Sequence, residues 1–241
     1  MGIKSAFFIC LIACIVFTSC FILIRCKGAN VYSVITKAIA SFCFIVTYFA
    51  SLAYAIEINA AFIAIGLGLV CGLIGDILLD LKLAYKEDED MYLNSGFVSF
   101  GIGHFFYIFA LIFMGANAWH IADMALPISI SLIIAAVMTV GSMYMMKKVM
   151  KFDFGKHTII TAIYSFILFF VTVLAISFAF VNTAFISIAI GLILFNVSDL
   201  ILSMQYFGGQ ANNNVLQVLN HTCYYLAQIV IACTIFISIL I

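Results

Sequence analysis

The chain has 241 residues, of which 67% are hydrophobic and 8% charged, with one proline, Pro127, and a formal net charge of zero. A water-soluble domain carries about 25% charge and about 45–50% apolar residues, so this chain cannot cover itself with a solvated surface. Its solvent is lipid, and its neutral charge gives no reason to expect nucleic acid as a partner.

Apolar runs separated by short polar breaks predict eight transmembrane helices, each near the 20 residues that a hydrocarbon core requires. They cover roughly 3–24, 31–56, 60–81, 91–114, 124–146, 158–180, 183–205 and 213–239. Helices are the expected form because in lipid the backbone must bond to itself, and no strand-like alternation is visible. The first run contains Leu11-Ile12-Ala13-Cys14, which has the look of a lipoprotein cleavage box. The apolar run continues for ten residues beyond it, so it reads as a retained anchor. The weakest division is at Asn182, where two spans almost touch. The fold expected is therefore an all-α polytopic membrane protein forming one integral domain over 1–241.

The eight cysteines contain no C-x-x-C pair, and seven of them lie within apolar runs. They read as small hydrophobes, with neither a zinc ribbon nor a disulfide framework indicated. Orientation follows from the basic residues. Arg25, Lys27, Lys82, Lys86, Lys147, Lys148, Lys151 and Lys156 all fall in odd-numbered loops, and Lys4 alone lies on the opposite face. This bias predicts cytoplasmic odd loops and two extracytoplasmic termini.

Two sequence echoes suggest a duplication. Gly75-Asp76-x-x-Leu79 in span three returns as Ser198-Asp199-x-x-Leu202 in span seven. His104-x-x-Tyr107 in span four returns as His221-x-x-Tyr224 in span eight. An offset of four spans is what two parallel four-helix repeats would give.

Ionisable residues inside spans cost about 2.5–3.5 kcal/mol each on insertion scales. The spans hold Lys37, Asp76, His104, Asp199 and His221, with Asp80 at an edge. Counting the helical rise puts Lys37, Asp76, Tyr164, Asp199 and His221 at one level, roughly 8–12 Å in from the basic end, with His104 deeper. Five polar side chains from five helices satisfy one another at one depth only by converging on a cavity. Asp76 and Asp199 are too deep to snorkel on a short side chain and are the candidate catalytic pair. Lys37 has a second reading as a snorkelling lysine. Asp80 is one turn from the surface and reads as an interfacial aspartate that shares a face with Asp76. The histidines also suit plain helix-to-helix hydrogen bonding.

At these residues the chain resembles the YhhN-like membrane proteins, the lysoplasmalogenase family. The resemblance rests on Gly75-Asp76-Ile77-Leu78-Leu79 followed by Gly96, His104 and Tyr107. It continues in Gly191-x-x-x-Phe195-x-x-Ser198-Asp199-x-x-Leu202-x-x-x-x-Phe207 and in Thr222-x-Tyr224-Tyr225-x-Ala227-Gln228. It departs in span two, where Thr36-Lys37 is followed by Ala38 rather than proline, and in span six, where Tyr164 lacks the methionine expected a turn or so later. The resemblance implies hydrolysis of the vinyl-ether bond of a lysoplasmalogen, giving a fatty aldehyde and a glycerophospho-alcohol, without metal or cofactor. The residue chemistry is compatible, because two carboxyl groups in different environments can divide the work of acid and of charged stabiliser or base. Lys37 is then expected to meet the lipid phosphate, and Tyr164, Asn196 and Tyr224 to orient water or the ether oxygen. Asp80, His104, Tyr107, Ser198, His221 and Gln228 complete the supporting set.

Two rival readings come from the same residues. A transporter or non-catalytic lipid-binding protein would also bury charges, though transporters break their helices near the midplane. A zinc hydrolase would use His104, His221, Asp76 and Asp199, but no H-x-x-x-H pair is present. The only partners expected are a lysophospholipid and membrane lipid, and no oligomeric state follows from the sequence.

Overall fold

A computed structural model describes residues 3–28, 31–211, 213–238 and 240. The terminal residues Met1 and Ile241, on which the expected placement of both termini turns, lie outside them. Eight long helices run in chain order: α1 Ile3–Arg25, α2 Val31–Ser51, α3 Ala60–Ala84, α4 Glu89–Ala118, α5 Ile121–Tyr144, α6 Thr158–Ala179, α7 Ile186–Phe207 and α8 Asn214–Ala232. All eight are long and apolar enough to cross a membrane, and no strand occurs among the described residues. The protein is an all-helical polytopic membrane protein.

The span limits follow local chemistry. The Asn59 side chain caps α3 by accepting from the Phe62 amide at 3.1 Å, and Asn213 caps α8 through the Val215 and Leu216 amides at 3.1 and 3.2 Å. These bonds satisfy amides that the first turn of a helix leaves orphaned. Asn182 caps the short 3-10 turn Thr183–Phe185 that leads into α7, so the narrow division between spans six and seven is a true chain reversal. Helix α4 starts inside the acidic run, at Glu89, where negative charge favours a helix N-terminus. The eighth span is shorter than its apolar run. It pauses at Cys233, and a single turn, α9 (Thr234–Ile237), follows.

Packing repeats with the expected offset of four. Consecutive helices pair within each half, α2 packs on α8 as α6 packs on α4, and α1 and α5 are the least buried spans of their halves. The most extensive helix–helix contact is between α3 and α4. A Cβ on Gly68 would lie 2.3 Å from the Tyr107 ring, and one on Gly75 would lie 2.7 Å from the Phe100 ring. Lipid supplies no hydrophobic drive between helices, and small residues let them gain contact instead. Gly72 serves the site in the same way. Gln228 and Tyr224 of α8 pass 2.9 and 3.6 Å from the place its Cβ would take, which brings Tyr224 to Asp76 one turn further along α3.

Candidate functional site

A cavity of about 370 Å³ opens among α2, α3, α4, α6, α7, α8 and the end of α1, toward the end of the bundle that bears the basic loops. Lys37, Asp76, Asp80, Tyr164, Asn196, Ser198, Asp199, His221 and Tyr224 all line it. The five residues placed at one depth by the helical rise therefore do converge.

Asp76 is buried and fully partnered. One carboxylate oxygen accepts from Ser41 Oγ at 2.6 Å and from the Tyr224 hydroxyl at 2.7 Å, and the other lies 3.3 Å from Lys37 Nζ. Gln228 stands behind this arrangement and donates to the Tyr224 hydroxyl at 3.0 Å. Tyr225 braces it from the side, 2.9 Å from Ser41 Oγ and donating to the Lys37 carbonyl at 3.2 Å.

Asp199 has a different setting. Its carboxylate accepts from the Tyr164 hydroxyl and, at 3.3 Å, from Ser198 Oγ, and no cation lies within 4 Å among the described residues. The Ser198 carbonyl accepts from the Asn220 amide at 2.7 Å. Each aspartate thus receives a hydroxyl from the preceding span, and both donors, Ser41 and Tyr164, precede their aspartate by 35 residues. The two halves hold equivalent carboxyl groups, but only the first half supplies a lysine.

One sequence expectation needs correction. Asp80 is not a solvated, interfacial aspartate. It is 2% exposed and bound by Lys37 Nζ at 3.0 Å and Arg25 Nη1 at 3.2 Å. Of the two readings of Lys37, the buried one holds and the snorkelling one fails. Lys37 is 5% exposed and sits between Asp76 and Asp80, which lie one turn apart on α3, so it separates the charges of that pair. The Asp80 expectation fails because depth along one helix does not show its neighbours: Arg25 ends α1 with its guanidinium turned inward onto Asp80.

Three supporting residues stand outside the cavity wall. His104 is buried behind Tyr164, with Nε2 3.4 Å from the tyrosine hydroxyl and an unpartnered Nδ1. Tyr107 lies on Gly68 and its hydroxyl has no partner, so it packs helices rather than serving the site. Gln228 acts only through Tyr224. The histidine echo accordingly breaks, because His221 reaches the cavity and rests edge-on against Phe21 at 4.9 Å. Asn196 reaches the cavity with its amide donating to Thr172 Oγ1 at 2.6 Å and to the Leu192 carbonyl at 3.0 Å.

Sequence reasoning missed Arg25, Ser41, Lys82, Asn220 and Tyr225. Ser41 had a usable signal, since it follows Lys37 by one helical turn and shares its face. Arg25 and Lys82 counted as loop charges, and spacing alone does not reveal that they turn inward. Among the described residues no group of three or more His, Cys, Asp and Glu is placed to hold a metal ion.

Comparison with known proteins is narrow. No curated protein and no solved structure matches the chain. The family model for the YhhN family matches residues 32–235, which takes in every cavity helix after α1 and both aspartates, and the chain belongs to the YhhN family.

Proposed function

We propose that this protein is a lysoplasmalogenase, hydrolysing the vinyl-ether bond of a lysoplasmalogen to a fatty aldehyde and a glycerophospho-alcohol. The family to which it belongs includes lysoplasmalogenases. The observation that carries the reading is the unequal pair of carboxyl groups in one cavity: Asp76 with a lysine and two hydroxyl donors, Asp199 with hydroxyl donors alone.

Vinyl-ether hydrolysis needs a proton on the outer vinyl carbon, a stabilised oxocarbenium ion, and water. Asp199 is the acid in this scheme, because with no cation beside it the neutral carboxyl is the less costly form in a buried site. Its proton goes to the outer carbon, and the vinyl π pair forms the new C–H bond. Positive charge then rests on the inner carbon and the ether oxygen. Asp76, held charged by Lys37, stabilises that cation at short range, as a carboxylate stabilises a glycosyl cation in glycosidases. Water adds to the inner carbon and gives its proton to the Asp199 carboxylate. The hemiacetal then collapses, its C–O bond to the glycerol breaks, and the alcohol leaves with a proton. Tyr164 donates to Asp199 in its charged form, and His104 Nε2 stands ready to accept the tyrosine hydrogen when Asp199 is neutral.

Leu93, Phe97, Phe100, Leu168 and Phe169 line the same cavity and give the alkenyl chain an apolar wall beside the polar cluster. The test is incubation of purified protein with a lysoplasmalogen while free aldehyde is measured, alongside Asp76→Asn and Asp199→Asn. Each variant is expected to lose at least about 100-fold in rate, as the loss of an acid or base typically brings. Full activity in either variant removes that aspartate from the mechanism. Lipid binding without aldehyde in the wild type would favour the non-catalytic reading.

A further inference from the structure

Lys37 was the expected phosphate contact, but two carboxylates occupy it, at 3.0 and 3.3 Å. Another cation in the cavity wall is far less well matched. Lys82 is 7% exposed, its ammonium lies 3.3 Å from the centroid of the Tyr206 ring, and its ion pair is with Glu89 at 3.8 Å, a carboxylate whose side chain is 58% exposed. Arg25 lines the same part of the wall. Its Nη1 serves Ser33 and Asp80 at 3.2 Å each, while its buried Nε has no partner. An ammonium withdrawn from water needs a counter-charge at close range, and a buried guanidinium N–H needs an acceptor. One anionic oxygen ligand at the mouth of the cavity satisfies both.

We propose that Lys82 and Arg25 form the binding site for the substrate's phosphodiester, an inference that rests on the lysoplasmalogen reading. Spacing along α3 supports it. Lys82 follows Asp76 by six residues, which is about 9 Å along the helix axis. In a lysoplasmalogen, seven bonds separate phosphorus from the outer vinyl carbon, about 8–9 Å when extended at ordinary bond lengths. A phosphate at Lys82 therefore sets the vinyl ether at the level of Asp76. The order also agrees with a lipid lying in its own leaflet, phosphate toward the basic end of the bundle and ether bond deeper, so binding needs little displacement along the membrane normal. The site carries two cations, Arg25 shared with Asp80 and Lys82 loosely with the exposed Glu89, which suits the single charge of a phosphodiester better than the double charge of a phosphomonoester.

A binding measurement that needs no turnover separates this inference from the proposed reaction. The probes are a 1-O-alkyl lysophosphocholine, whose saturated ether cannot be protonated at carbon, and the matching 1-O-alkylglycerol, which lacks phosphate. Wild-type protein is expected to bind the phosphate-bearing ether at least tenfold more tightly. Lys82→Met and Arg25→Gln are expected to shrink that ratio to threefold or less, and Lys82→Arg to keep it. Millimolar inorganic phosphate is expected not to displace the lipid. Equal affinity of the wild type for both probes overturns the proposal, as does an unchanged ratio in Lys82→Met. Should Lys82→Met not fold, the wild-type ratio and Lys82→Arg still decide. Displacement by inorganic phosphate would assign the site to the free anion and overturn the lipid phosphate as its occupant. Loss of aldehyde release with the binding ratio intact would refute the reaction and leave the subsite standing.

Discussion

Replacing Lys37 by Met removes the one cation among the described residues that touches both Asp76 and Asp80. All three side chains are at most 6% exposed, and the separations are 3.3 and 3.0 Å. Removing one partner of a buried ion pair costs about 3–5 kcal/mol, because the other charge is left without compensation. An independent bound agrees. The variant can escape by protonating one carboxyl group, which at pH 7 costs about 4 kcal/mol for an ordinary aspartic acid. Arg25 still holds Asp80 at 3.2 Å, so the carboxylate left exposed is Asp76. At about 2–4 °C per kcal/mol for a chain of this size, the thermal midpoint in detergent falls by on the order of 10 °C. The loss shrinks on acidification, since the proton that neutralises Asp76 becomes cheaper to supply. Asp80→Asn and the double variant complete a cycle. The double variant is expected to lose less than the sum of the two single losses by at least about 1 kcal/mol, since contacting charges do not add. Additive losses within about 0.5 kcal/mol, or a midpoint unchanged in Lys37→Met, would refute the charge arrangement described.

Tyr164→Phe removes a hydroxyl donor to Asp199 without changing shape, and kcat is expected to fall about 10–100-fold, the worth of one hydrogen bond to a charged group. Gly68→Ala forces a Cβ to 2.3 Å from the Tyr107 ring and is expected to cost about 1–3 kcal/mol, measured as a thermal midpoint. Adding Tyr107→Leu should recover part of that loss. A chelator is expected to leave aldehyde release unchanged, since the Asp76 oxygens are already occupied by Lys37, Ser41 and Tyr224. Cysteine labelling should find the loop Lys147–His157 on the cytoplasmic side and Ile241 on the other, and a cytoplasmic C-terminus would contradict the positive-inside reading.

Much of the bundle was legible because lipid permits few solutions. A 20-residue apolar run has one stable form there, and most span limits fall within a few residues of the helix ends, the ends of α2 and α8 being the exceptions. The boundaries that moved did so for local reasons: the acidic residues Glu89 and Asp90 extended α4 beyond its apolar run, Asn213 set the first turn of α8, and α8 pauses at Cys233. The convergence of Lys37, Asp76, Tyr164, Asp199 and His221 was also readable, because equal depth on several helices is a geometric constraint. What sequence does not hold is azimuth. Depth along a helix follows from counting, but which neighbour a side chain meets depends on how the helices rotate and cross. His104 and Tyr107 are buried in the same helices and still stay outside the cavity wall, His104 behind Tyr164 and Tyr107 against Gly68. Arg25 and Lys82 sit at helix ends and turn into the cavity.

The central claim is carbon protonation by a carboxyl group, and the most direct measurement compares two lipids on one enzyme preparation. A lysoplasmalogen and an ester lysophospholipid of the same head group and length bury similar apolar area, so binding alone does not distinguish them. Only the vinyl ether offers a carbon to protonate, whereas ester cleavage calls for a nucleophile and an oxyanion hole. Aldehyde and free fatty acid are measured in parallel. The prediction is aldehyde from the vinyl ether, lost in Asp76→Asn and Asp199→Asn, and an ester analogue that competes and stays intact. Substantial fatty acid release from the ester, or aldehyde release that survives both substitutions, would contradict it.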